Sequence, residues 1–190
     1  MTIYVEPKAG MVINYGYVWA RQARQGMEKG EKFRPSLILG VQEEQDKKMV
    51  YVAPISHTPP FYPEESLLVP NETGGRIGLD DKPKWLMLNE VNKFEWPGFD
   101  IRRVPHRRER SQFYGFVPRA FLEQARDKMR EMMQANRFKI VPRHMERKGV
   151  MATANDAFAR DRNQPQAQHQ NNDRRPQRQT LKIPNYGNRP

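Results

Sequence analysis

Apolar and β-branched residues gather early in the chain into short runs separated by charged or glycine-bearing stretches. Residues 11–19 (MVINYGYVW) read as a first strand. Residues 35–41 (PSLILGV) and 49–56 (MVYVAPIS) read as two more, joined by the charged turn 42–47 (QEEQDK), so a β-hairpin is expected there. Further short strands are expected at 66–70, 85–88, 100–104 and 114–117. The stretch 89–96 alternates less cleanly, and 71–78 (NETGGRIG) reads as loop. Residues 85–88 are apolar at every position, as in a strand buried on both sides. Short strands with closely spaced turn signals favour a small barrel or sandwich over a βαβ sheet. At Pro118 the period changes. Phe121, Leu122, Ala125, Met129, Met132 and Met133 recur at helical spacing between charged residues, which predicts an amphipathic helix laid on the strands. Its methionines suit core or dimer packing.

Past Pro142 the apolar periodicity stops, and 163–172 (NQPQAQHQNN) is polar and of low complexity. The expected organisation is one domain over residues 1–142, mainly β with a closing helix, then a disordered basic tail over 143–190. No internal repeat is evident. Among the 190 residues, 33 are Lys or Arg and 22 are Asp or Glu, a formal net charge of +11. Residues 143–190 hold ten of those cations and four of the acids, leaving +5 on the rest, so both parts favour polyanions. With no cysteine, disulfides, thiolate metal sites and a cysteine nucleophile are excluded. No apolar run approaches a membrane span, and the amino terminus lacks the pattern of a secretory signal, so a soluble cytoplasmic protein is expected.

The candidate chemistry sits at the two outer ends of the hairpin, in 32–35 (KFRP) and 52–60 (VAPISHTPP). With the turn centred between Glu44 and Gln45, Arg34 falls opposite Ile55, beside Ser56; a slip of one residue makes Ser56 its partner, and a slip of two selects His57. Neighbours on a strand point to opposite faces, so Ser56 and His57 share a site only where the strand ends or bulges. Pro54, Pro59 and Pro60 favour such an irregularity. Pro35 keeps Arg34 extended. A guanidinium, a hydroxyl and an imidazole together suit phosphate-ester chemistry.

The same residues carry a resemblance. An opening Gly10-Met11-Val12, a charged loop, Lys32-Phe33-Arg34-Pro35 before an apolar strand, and a second strand ending in Ala53-Pro54-Ile55-Ser56 are similar to the MazF/PemK toxin family, over residues 10 to about 133. The resemblance implies a small SH3-like β-barrel of the CcdB/MazF/PemK type, a homodimer, metal-independent cleavage of single-stranded RNA, and a cognate antitoxin protein as partner. Relatives with this barrel that poison DNA gyrase, and a plain RNA-binding accessory module, are the alternatives. Two departures stand out: serine replaces the more usual threonine at 56, and 79–96 fits the usual third motif poorly, so the sequence does not place the family's later acidic residue.

The resemblance makes Arg34 the catalytic arginine and Ser56 the group that orients the phosphate. His57 adds an imidazole for acid–base work. Competing structural roles are an ion pair for Arg34, a turn cap for Ser56 and a surface position for His57. Lys29, Lys32 and Trp19 near the loop, and Arg102, Arg103, Arg107 and Arg108 in the arginine-rich stretch 102–110, are candidate RNA contacts or solvated surface. Tyr15 and Tyr17 share a strand face with Trp19 and suit core packing. Acids at 43–46, 64–65 and 80–81 read as turns and loops, and no carboxylate–histidine spacing suggests a metal or any cofactor.

Overall fold

A computed structural model of the chain describes residues 5–106 and 111–144. The chain divides into two units, Met1–Glu146 and Arg147–Pro190, the second lying outside the described residues. The disordered tail expected over 143–190 therefore falls almost wholly outside them. In the first unit the order is β1 (Met11–Gly16), α1 (Ala20–Arg24), β2 (Phe33–Glu44), β3 (Lys47–Ser56), β4 (Ser66–Leu68), α2 (Asn71–Arg76), β5 (Trp85–Met87), β6 (Glu90–Glu95), β7 (Ile101–Arg102), β8 (Phe113–Phe116), α3 (Arg119–Gln134) and β9 (Lys139–Arg143).

The unit is mainly β. One path of the sheet runs β4-β5-β3-β2-β1-β7; β6 also pairs with β3, β8 with β1, and β9 runs parallel to β6. Among the described residues no ladder joins β9 to β7 or β8, so the expected barrel is not closed by backbone hydrogen bonds. A side chain spans the gap instead. Arg143 of β9 donates to the Gly16 carbonyl of β1 at 3.2 Å and to the Asp100 carboxylate beside β7 at 2.7 Å. No described helix is long and apolar enough to cross a membrane.

Alternation on the central strands fills both faces of the sheet. Val12, Leu37, Leu39, Ala53 and Ile55 pack with Leu86, Val91 and the Phe121, Leu122 and Ala125 stripe of α3. Met11, Ile13, Tyr15, Tyr17, Ile38, Val50 and Val52 pack on the other side with Phe94 and Ile101. Tyr15 and Tyr17 are thus core residues, and Trp19, at the end of that run, is half-buried. Of the helix methionines Met132 is buried, Met129 packs on the first cluster, and Met133 is exposed.

Three local expectations change. First, the β2–β3 turn is Gln45-Asp46, both at positive φ, with Glu44 facing Lys47. That pair of left-handed residues is the backbone of a tight two-residue hairpin, and it shifts the turn one residue later than expected. An irregularity between Ile38 and Gly40 then takes up one residue, so Ser36 faces Pro54, and continuing that register brings Arg34 level with Ser56. Second, residues 71–76 form α2 rather than loop. Thr73, Gly74 and Ile77 are buried there, and tertiary packing overrides the weak helix propensity of two glycines. Third, the charged loop before β2 is anchored. A Cβ at Gly30 would collide with the backbone of Gly16, and Arg143 donates to the Glu28 carbonyl.

Candidate active site

A cleft of about 420 Å³ opens where the ends of β2 and β3 meet the 78–84 loop and the 105–106 turn. β2 contributes Phe33, Arg34 and Pro35, and β3 contributes Ile55 and Ser56. β3 ends at Ser56, so His57 leaves the ladder and joins the same cleft from an exposed bend. The hairpin thus brings Arg34, Ser56 and His57 together. The register irregularity lies at Leu39, well inside the hairpin, whereas Ser56 and His57 converge because the strand stops.

Arg34 pairs through its backbone with Tyr15 of β1 and is only half-buried. Its guanidinium carbon lies 5.9 Å from the centroid of the Trp19 ring, a cation–π distance. No described carboxylate forms an ion pair with it, which leaves its donors to the cleft. Ser56 is buried, and its Oγ accepts a hydrogen bond from the Thr58 N–H at 3.1 Å. The turn-capping role is therefore real, and the hydroxyl proton is still there to give to a ligand. His57 Nε2 lies 2.9 Å from Asp80 Oδ1.

Asp80 and Lys84, which line the cleft, carry no local sequence signal. Asp80 reads as part of a turn before Pro83 and reaches His57 only because the 57–84 excursion folds back. Burial pushes its carboxyl up, but the hydrogen bond and charge of His57, the Lys82 N–H and the charge of Lys84 outweigh that and hold it below its ordinary value. His106 also lines the cleft, from a turn in which it adopts a positive φ of 60°.

The expected RNA contacts divide. Trp19 supports Arg34. Arg102 is exposed and lies over the Phe33 ring at 5.4 Å, while its Nη1 donates to the Phe99 carbonyl at 2.8 Å. Arg103 is exposed with no ion pair among the described residues, and Lys29 and Lys32 are exposed on the anchored loop. Arg107 and Arg108 lie outside the described residues. Among the described residues no three His, Asp or Glu side chains gather closely enough to hold a metal ion.

The comparisons with known proteins add no relative. No family model, curated protein or solved structure matches the chain. Any functional reading rests on the cleft and on the motif that forms it.

Proposed function

We propose that the cleft is the active site of a metal-independent endoribonuclease of the MazF/PemK toxin type, acting on single-stranded RNA. The observation that carries the reading is the convergence of Arg34, Ser56 and His57 in one cleft, with no carboxylate among the described residues paired to Arg34. Transesterification needs a base for the 2′-OH proton, a cation for the charge growing on the phosphate oxygens, and a proton for the departing 5′-oxygen. His57 moves the proton. Arg34 grips two phosphate oxygens with a fork placed over the Trp19 ring, and Ser56 donates its hydroxyl proton to the phosphate. The same reading carries an SH3-like arrangement of the open sheet, a homodimer and a neutralising antitoxin.

Matched oligonucleotides test it: RNA, and the same sequence with 2′-deoxy sugars throughout. RNA alone is expected to be cut, leaving 2′,3′-cyclic phosphate and 5′-hydroxyl ends. Cleavage of the 2′-deoxy strand, or 5′-phosphate ends, would overturn the mechanism. Intact RNA together with inhibited gyrase supercoiling would replace it with the gyrase-directed reading.

A further inference from the structure

Asp80 is held more firmly than an exposed loop acid needs to be. Its Oδ1 lies 2.9 Å from His57 Nε2, accepts the Lys82 N–H at 3.3 Å, and sits 3.5 Å from Lys84 Nζ. Lys84 is itself 1% exposed, which is rare for a lysine without a task. Its Nζ donates to the Asp80 carbonyl and, at 2.6 Å, to the Lys82 carbonyl, so a buried side chain clamps the 80–84 turn from inside. α2 closes over the clamp: a Cβ at Gly74 would meet Nζ at 3.5 Å, ordinary contact distance. The clamp fixes where the carboxylate stands, and the carboxylate fixes the imidazole.

An ionised carboxylate only accepts hydrogen bonds, so a neutral imidazole facing it must carry its single proton on the facing nitrogen. For His57 that nitrogen is Nε2, and the lone pair is left on Nδ1. The geometry points to Asp80 as the positioning residue of the site, holding His57 in the tautomer that presents Nδ1 to the substrate as proton acceptor. The identity of the substrate rests on the ribonuclease reading; the dyad does not. In the reaction, the 2′-oxygen forms its bond to phosphorus as its proton passes to Nδ1. The P–O5′ bond then breaks, the leaving oxygen takes a proton from a water at the open cleft, and Nδ1 returns its proton to that water's oxygen, which restores neutral His57. The imidazolium formed in between faces the Asp80 carboxylate. Among the described residues, the other charged or titratable groups lining the cleft are Lys84 from the clamp, Arg34 from β2, Tyr114 from β8 and His106 from the opposite turn.

The test uses the full chain with ¹⁵N-labelled histidine, and two-bond ¹H–¹⁵N correlation spectra above the imidazole titration. Of the four histidines, His57 is assigned by the signal that His57→Gln removes. Neutral His57 is expected with its proton on Nε2, and Asp80→Asn is expected to scramble it into a tautomer mixture. That variant is also expected to lose roughly 10- to 100-fold in kcat on RNA, with KM within about twofold. A proton on Nδ1 in the unaltered protein, or a tautomer that Asp80→Asn leaves unchanged, overturns the positioning role even before activity is read, and does so if the variant folds poorly. The expected tautomer with an unchanged kcat overturns it as well. The expected tautomer in a protein that cuts no RNA at all removes the ribonuclease reading, and with it any role for Asp80 in that reaction.

Discussion

Arg34 shows how one side chain divides between packing and chemistry. Its backbone is fixed by Pro35 and by the pairing to Tyr15, while its guanidinium rests on Trp19 and meets no described acid. Arg34→Lys keeps the charge but loses the planar fork and much of the stacking, so it is expected to fold normally and to cut RNA at least about tenfold more slowly, read from initial rates. Equal rates would mean that the fork is idle. Ser56 carries a second task. Ser56→Ala leaves the Thr58 N–H without its acceptor and is expected to lower stability by about 1 kcal/mol, checked by the urea midpoint, in addition to slowing cleavage. Arg34, Ser56 and His57 were legible in the sequence because a hairpin fixes which residues meet at its open end. Asp80 was not. Its meeting with His57 depends on how a 23-residue excursion closes, and on a lysine whose burial no local pattern announces.

β9 changes what counts as the domain. It crosses the expected boundary at residue 142, and its last residue, Arg143, ties together the sheet's open side. Arg143 is buried with Asp100, donates to Gly16, Asn92 and Glu28, and lies over Tyr15 and Phe99. Ending the chain at residue 142 strands a buried carboxylate, whereas ending it at 146 keeps the pair. The shorter chain is expected to be less stable by about 3–5 kcal/mol, measured by denaturant unfolding. Equal stability would show that the Arg143 network is dispensable. β9 was hard to read because KIVPR has one proline and two basic residues in five, and its parallel partner β6 lies more than forty residues away. β6 also fastens α1: Glu90 Oε1 accepts the Ala20 N–H at 2.9 Å, and Asn92 brackets Val18. Burial raises the Glu90 carboxyl above its ordinary 4.5, the neighbouring donors and cations offsetting only part of that. Folding therefore favours the protonated form. The penalty for the ionised form is absent below the ordinary value and complete above the raised one. Glu90→Gln keeps the acceptor without the charge. It is expected to be more stable than the parent at pH 7, with the advantage fading toward about pH 4. Urea midpoints at both values check the sign, and a deficit at pH 7 would contradict it.

Taken together, the unit is an open, mainly β sheet with its cleft at one rim and cations around that rim. Strand content and the closing helix were legible because apolar, β-branched runs bounded by turn signals mark β1 to β3 and a period of 3.6 marks α3. Closure was not, because the gap is spanned by one guanidinium rather than by a ladder that alternation could announce. The formal charge of +11 makes the electrostatic share of RNA binding large. Affinity of an inert Arg34→Ala chain for single-stranded RNA, read by fluorescence anisotropy, is expected to fall steeply between about 50 and 200 mM salt. Adding Arg103→Ala is expected to reduce the slope of log K against log salt by roughly 0.7, the share of one phosphate contact. An unchanged slope would take Arg103 out of the RNA path. The most direct measurement is simpler still. The purified chain, folded and free of any inhibitor, is incubated with a long single-stranded RNA in excess EDTA beside Arg34→Ala. Discrete fragments from the parent, and a rate lower by about 10²- to 10³-fold from the variant, are expected. Intact RNA from a folded parent, or equal cutting by both proteins, would contradict an active site built on Arg34.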